Sequence, residues 1–315
     1  MSQPKIAILL STYNGEKYLE QLIESICNQS FTNWNLYIRD DGSKDSTIDI
    51  INKYLEKDNR IKFINQKKVK NLGVVRSFFE LFQEVDADFY MFSDQDDFWL
   101  PNKVEKTINR MLSLEYNQKP ICVYTNLRVV DQNLNGNELL LNRGWQKFTE
   151  LLFTNNVYGC TMMVNHKVKE LVKFDEIDYD NIFMHDWWLT LLAAAFGTVS
   201  FINEPTILYR QHEDNQVGAA SKSFRSLVKR VLNNNEDRLK MKRSVRFATE
   251  LLKNYEKTNF SEKDFQYVRN YGQLKEKSSL IHNIKIAFAT PPKSIHKLKE
   301  IFYFYILIVY YKDYK

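Results

Sequence analysis

Cysteine is scarce in this chain of 315 residues. Its three cysteines, Cys27, Cys122 and Cys160, are far apart, and none forms a C-x-x-C pair. That excludes a disulfide framework and predicts reduced core thiols in a cytoplasmic protein. The N-terminal MSQPK lacks the cationic and long apolar segments of a signal peptide. The apolar run at 301–311, IFYFYILIVYY, holds 11 residues. At ~1.5 Å per residue it reaches only about half-way across a ~30 Å bilayer core, so it cannot span one as a helix. No G-x-x-x-x-G-K-[ST] occurs, which disfavours a P-loop enzyme. The first apolar run is followed by STYNGEKY rather than a Gly-rich, Arg-containing loop, which argues against a nucleotidyltransferase. No nucleic-acid-binding motif, internal repeat or low-complexity segment is present.

What the chain does have is apolar and aromatic mass, 44% and 14% of residues, enough for a large core. Its charge is uneven. Residues 1–215 carry 23 Lys+Arg against 30 Asp+Glu, a balance of −7, whereas 216–315 carry 21 against 9, a balance of +12. Two parts with two jobs are expected: a catalytic domain over 1–216 and a basic helical region over 217–315.

The first half alternates in type. Short apolar runs at 5–12, 35–41, 61–65 and 88–94 predict strands buried on both faces. Helical spacing predicts helices between them at 14–29, 43–57 and 73–85. This order predicts an α/β fold with a mostly parallel sheet, in which ligands bind at the carboxyl ends of strands. Polar clusters fall there each time: Ser11-Thr12-Tyr13-Asn14, Asp40-Asp41-Gly42-Ser43 and Asp94-Gln95-Asp96-Asp97. Further strands are expected at 121–131, 159–165 and 198–212, and a helix at 185–197.

In FSDQDDFW, residues 92–99, three carboxylates crowd four positions at the end of a buried strand. A hard divalent cation, Mg2+ or Mn2+, would cancel their repulsion and share its remaining positions with substrate phosphates. The alternative is a solvated acidic turn with Asp94 or Asp97 capping the next helix.

STYNGEKYLEQLIESICNQSF, IRDDGSKDST, NLGVVRSF and FSDQDDFW, in that order, resemble glycosyltransferase family 2, over roughly residues 4–218. HDWW and YRQHEDNQVGA resemble its bacterial rhamnosyltransferase branch. The resemblance implies the GT-A fold and inverting transfer from a nucleotide sugar, dTDP-L-rhamnose or a UDP-hexose, during surface polysaccharide synthesis. It places Thr12, Tyr13, Asn14 and Glu16 along the nucleotide pocket, and Asp40 or Asp41 at the base. Asn71, Gly73 and Arg76 match a loop near the nucleotide. Asp94 and Asp96 match the D-x-D motif, with Asp96 the direct metal ligand, Asp94 a metal or ribose contact, Gln95 between them and Asp97 close behind. His212 is a candidate third metal ligand, and Arg210 a phosphate contact or an ion-pair partner.

Inversion needs a base for the acceptor hydroxyl, and such a base contributes about 10²–10⁴-fold. Asp186 in HDWW stands at the family's position for it; its alternative use is as a helix cap. Trp187 and Trp188 point about 100° apart on a helix. One is expected in the core and the other against an acceptor sugar, with core packing of both the default. NNVYGCTMM, 155–163, lies where family members meet the acceptor.

The tail pairs an apolar helix face (Phe224, Leu227, Val228, Val231, Leu232) with a cationic one (Lys222, Arg225, Lys229, Arg230). Such segments lie on anionic membrane surfaces or pack on protein. The expected partners are a nucleotide sugar, an oligosaccharide or lipid-linked acceptor, the inner face of the plasma membrane and a second copy of the chain. Nucleic acid is excluded. An inactive carbohydrate-binding scaffold is the non-enzyme alternative, and both the D-x-D and base positions are filled against it.

Overall fold

A computed structural model describes residues 4–141, 143–211, 235–294 and 297–314. The first half follows the predicted alternation: β1 (Ile6–Thr12), α1 (Leu19–Cys27), β2 (Trp34–Asp40), α2 (Thr47–Lys57), β3 (Ile61–Phe63), α3 (Val74–Glu84) and β4 (Phe89–Ser93). After these come β5 (Phe98–Trp99), α4 (Lys103–Leu112), β6 (Ile121–Val130), β7 (Glu138–Leu139), α5 (Phe148–Leu151), β8 (Met162–Asn165), α6 (His166–Leu171), α7 (His185–Phe196) and β9 (Thr198–Arg210). The basic region forms α8 (Asn235–Asn254), α9 (Glu262–Gly272), α10 (Leu274–Lys277), α11 (Leu280–Ala289) and α12 (Lys297–Val309). The cationic face expected from Lys222 to Leu232 lies outside the described residues.

The nine strands form one sheet in the order β3-β2-β1-β4-β8-β6-β9-β5, with β7 beside β6. β3, β2, β1 and β4 run parallel, as do β6 and β9. β8 enters antiparallel to both β4 and β6. The sheet is thus mostly parallel, flanked by helices and extended by a helical tail, as expected. Helix α1 starts later than its apolar spacing suggested. Asn14 sits in the left-handed region at φ 48°, and the amides of Tyr18 and Leu19 both close onto Gly15 O, so residues 14–18 form a turn instead.

Because strand side chains alternate, β1 feeds two cores. Ile6, Ile8 and Leu10 pack with α1, α2 and α4. Ala7 and Leu9 face the side of α3 and α7, and the tail joins that side through Met241, Val245, Phe247, Ala248 and Leu251. Phe247 wedges against both tryptophans of α7, with ring centroids 4.8 Å from Trp187 and 5.9 Å from Trp188. The register that buries these faces also aligns the strand ends: Thr12 pairs with Asp40, and Leu10 with Ser93. All three polar clusters therefore leave the sheet at one edge.

Candidate active site

The first wall is built by carboxylates that tie loops together. Asp40 accepts the Gly42 amide at 2.9 Å and the Ser43 amide at 2.8 Å on one oxygen. Its other oxygen accepts Thr12 Oγ1 at 2.9 Å and Ser43 Oγ at 2.5 Å. These four bonds fill the acceptor capacity of a carboxylate. Gly42, at φ 93°, supplies the left-handed turn that this wrapping needs. Asp41 pairs with buried Arg39 at 2.7 Å and accepts the Leu72 amide at 2.7 Å and the Gly73 amide at 2.8 Å. Asn71 Nδ2 donates to Asp41 O at 2.7 Å. Of the two aspartates that the sequence left as alternatives at the base, Asp41 keeps an open acceptor direction among the described residues.

The second wall joins this loop to the acidic turn. Gln95 clamps Tyr13 in both directions, accepting its amide at 2.8 Å and donating to its carbonyl at 2.9 Å. A Cβ on Gly15 would lie 2.5 Å from Gln95 Oε1, so the clamp requires glycine there. Asn14 accepts the Lys44 amide at 2.8 Å and Glu16 accepts the Ser46 amide at 2.9 Å, tying both to the loop after β2. Thr12, Tyr13, Asn14 and Glu16 are thus brought together.

The acidic turn is not a solvated cap. Asn102 is the N-cap of α4 and makes no side-chain capping bond, and Asp97 is fully buried. Ligand atoms of Asp94, Asp97 and Cys160 converge within 4.8 Å, while Asp96 sits half-exposed on the same turn. Buried Arg210 buttresses the turn: its Nε donates to Asp96 O at 2.8 Å, its Nη2 to Gln21 Oε1 at 2.9 Å and its Nη1 to Gln132 O, and it stacks on Tyr18 at 4.1 Å. Burial, then Asp96 and Asp186, push Asp94 up to about 7. Burial, then Asp96 and Asp94, push Asp97 well above the usual carboxylate range. Lys103, buried over the Trp99 ring at 4.7 Å, is pushed down to about 8 by desolvation. Asp97 Oδ2 is a buried oxygen that no N–H or O–H donor reaches among the described residues; only the weakly donating Cys160 thiol lies beside it. An orphaned buried carboxylate oxygen in a cluster of acids fits a hard divalent cation. The Cys160 thiol, held protonated by burial, does not suit Mg2+ or Mn2+ and leaves the aspartates as donors. His212 lies outside the described residues.

Facing this turn is Asp186, the second residue of α7. Met184 occupies the N-cap position with no side-chain cap. The Asp186 carboxylate accepts Asn155 Nδ2 at 3.0 Å, the Gly159 amide at 2.9 Å and the Trp187 amide. It is 5% exposed, and burial raises it to about 7 against the opposing effect of those donors. Its charge is felt by Asp94, so the two occupy one electrostatic site. His185 beside it is buried, stacked on Phe78 at 4.1 Å and pushed down to about 3 by desolvation, hence neutral. Within NNVYGCTMM the fold brings Asn155 and Gly159 to the Asp186 carboxylate. A Cβ on Gly159 would meet His185 Nε2 at 3.0 Å, so this lone glycine before a strand was the available signal.

Trp187 and Trp188 are both buried, 2% and 0% exposed, and Trp187 Nε1 donates to Leu151 O at 2.6 Å. Neither offers a ring face to a sugar; Phe247 of the tail covers the side that sequence left open, so core packing describes both. Arg76 lies over Tyr179 at 5.3 Å and lines a cleft of about 560 Å³ with Gly73, Tyr179, Phe183, Met184 and Arg243. Arg243 caps Phe183 at 3.1 Å.

Residues 7–167 match the family model for glycosyl transferase family 2. The chain belongs to this family. A dTDP-rhamnosyl transferase, RfbG of Shigella flexneri, is 31% identical over 233 residues, covering 70% of this chain and 78% of that protein. A putative teichuronic acid biosynthesis glycosyltransferase, TuaG of Bacillus subtilis, is 25% identical over 214 residues, covering 66% and 79%. Among solved structures, S. aureus TarS 1–349 with UDP-GlcNAc superposes with a TM-score of 0.54 at 17% identity, covering 98% of this chain and 92% of that one. The Pyrobaculum calidifontis mannosyltransferase PcManGT, solved with GDP-Man and Mn2+, gives 0.52 at 10% identity, covering 98% and 86%. The family 2 transferase described here therefore shares the GT-A fold with both.

Proposed function

We propose that this family 2 glycosyltransferase is an inverting, metal-dependent enzyme that moves L-rhamnose from dTDP-L-rhamnose to a saccharide hydroxyl during bacterial surface polysaccharide synthesis. The observation that carries the mechanism is the Asp186 carboxylate, buried, held by Asn155 and Gly159, and electrostatically joined to the acidic turn. The likeness to a dTDP-rhamnosyl transferase supports the donor.

In this reading residues 1–216 carry the chemistry. Asp41, Thr12 and Asn71 hold the nucleoside, with Tyr13, Asn14, Glu16 and Gln95 shaping its edge. Asp94 and Asp96, with Asp97 beneath, would hold Mn2+ or Mg2+. The chemistry supplied by that cation is neutralisation of the diphosphate as it leaves. Asp186 takes the proton of the acceptor hydroxyl as its oxygen bonds the anomeric carbon from the face opposite the diphosphate. The carbon–diphosphate bond breaks with its electron pair on the phosphate oxygen, and configuration inverts. Asn155 and the Gly159 amide aim the carboxylate. The acceptor, an oligosaccharide or lipid-linked saccharide, enters past the cleft walled by Met184 and Arg76.

Thermal-shift and donor-hydrolysis screening tests this against dTDP-rhamnose, UDP-glucose, UDP-galactose and UDP-GlcNAc, with and without Mn2+. Stabilisation by dTDP-rhamnose that requires the cation is the expected result. A UDP-hexose giving it instead would reassign the donor, and no response from folded protein would point to an inactive scaffold.

A further inference from the structure

Helices α11 and α12 present an apolar face that the other described residues leave open. Thirteen large hydrophobic side chains are exposed among the described residues, and eight of them lie on α11 and α12. Ile281 is 71% exposed, Phe288 74%, Leu298 79% and Ile301 66%. Leu280, Ile284, Tyr305 and Val309 complete the face. The spacing of 281, 284 and 288, and of 298, 301, 305 and 309, keeps each set on one side of its helix. The opposite sides, Asn283, Ile286 and Ala287 on α11 and Tyr303, Ile306 and Leu307 on α12, are buried.

This hairpin is firmly built. Asn283 Nδ2 donates to Leu307 O at 2.7 Å, and Ser278 Oγ donates to Tyr311 O at 2.6 Å. Phe288 and Phe304 meet edge to face at 5.2 Å, and Ser279 caps α11 by accepting the His282 amide at 3.2 Å. Its apolar side chains are therefore displayed on a fixed surface. Charge identifies what that surface meets. Residues 275–312 carry seven lysines (275, 277, 285, 293, 297, 299 and 312) against Glu276 and Glu300, a balance of +5. An isologous contact with a second copy would set this balance against itself, which like-charge repulsion disfavours. An anionic lipid surface complements it. Helices of 10 and 13 residues cannot cross a bilayer, and no helix among the described residues is long and apolar enough to do so.

We infer that the α11–α12 hairpin is a membrane-docking surface, lying flat in the headgroup region of an anionic bilayer. Ile281, Phe288, Leu298 and Ile301 enter the acyl boundary, Tyr305 sits at the headgroup level, and the lysines bind lipid phosphates.

The test uses the full chain and vesicles of phosphatidylcholine with or without phosphatidylglycerol. The wild-type protein is expected to sediment with the anionic vesicles, less so at high salt. Phe288→Glu with Leu298→Glu should weaken that partition by at least about tenfold. Donor hydrolysis and melting temperature should stay unchanged, so loss of docking is distinguishable from loss of the transferase reading. Should the double variant fail to fold, Phe288→Trp supplies the second measurement: brominated lipid should quench the new indole in anionic vesicles. Wild-type protein that ignores anionic vesicles, equal partition of the charged variant, or an unquenched Trp at 288 would each overturn the inference. A wild-type dimer that the charged variant splits, without vesicle binding, would assign the face to self-association instead.

Discussion

Replacing Asp186 by Asn separates a catalytic base from a helix cap, because the two roles give opposite pH dependences. An unfolded aspartate titrates near ~3.9, whereas Asp186 in the fold is raised to about 7. Ionising it inside the protein therefore costs on the order of 4 kcal/mol. A carboxyl raised in the folded state holds more protons folded than unfolded. Its contribution to stability is full below ~4 and is lost as pH rises through about 7. Between about pH 5 and about pH 8 this one group removes roughly 2–3 kcal/mol of stability. The Asp186→Asn variant cannot ionise there. Its amide NH2 faces the Gly159 amide or Asn155 Nδ2, a mismatch of about 1–3 kcal/mol that does not change with pH. Urea unfolding of both proteins in EDTA at the two pH values should show the difference between them moving by roughly 2–3 kcal/mol in favour of the variant at high pH. In the same variant, donor binding should persist while sugar transfer falls by at least ~10². A capping Asp would be lowered rather than raised, and its slope would run the other way. Parallel pH behaviour of the two proteins would refute the raised carboxyl, and a retained transfer rate would refute the base assignment.

Asp96→Ala should abolish metal-dependent donor turnover while leaving the far-UV spectrum unchanged; near-normal turnover with Mn2+ would remove Asp96 from the cation's ligands. Arg39→Ala leaves Asp41 buried beside no cation and should cost about 3–5 kcal/mol by urea unfolding, with weaker nucleotide binding because the loop from Asn71 to Gly73 hangs on Asp41. Phe247→Ala opens a hole under Trp187 and Trp188 and should cost about 3–5 kcal/mol, measured as a lower unfolding midpoint. If stability is unchanged, the tail does not support α7.

The strand and helix order from β1 to β4 was legible because period and punctuation are local. Apolar runs of strand length alternate with helical spacing, and polar residues close each strand. The site was legible to the extent that its parts sit at strand ends: Thr12, Asp40, Asp41 and Asp94 do converge. Other site features were not legible, because distant chain segments create them. Asp40 and Asp41 are adjacent and alike in sequence, yet bonds from Thr12, Gly42 and Ser43 fill one while the other keeps an open direction. Asn155 and Gly159 reach Asp186 from 31 and 27 residues away. Arg210 reaches Asp96 across 114.

Fold class, the carboxylate-rich edge and the basic tail follow from sequence by itself, since composition, periodicity and the order of short motifs are properties of a chain before it folds. Only the tertiary structure decided the faces. Two adjacent tryptophans differ by about 100° on any helix, and either could have met a sugar until Phe247 closed on both. The run IFYFYILIVYY is apolar all round, so its pattern assigns neither an inside nor an outside. Packing buried Tyr303, Ile306 and Leu307 and turned Ile301, Tyr305 and Val309 outward, because a helix resting on a core can bury one side only.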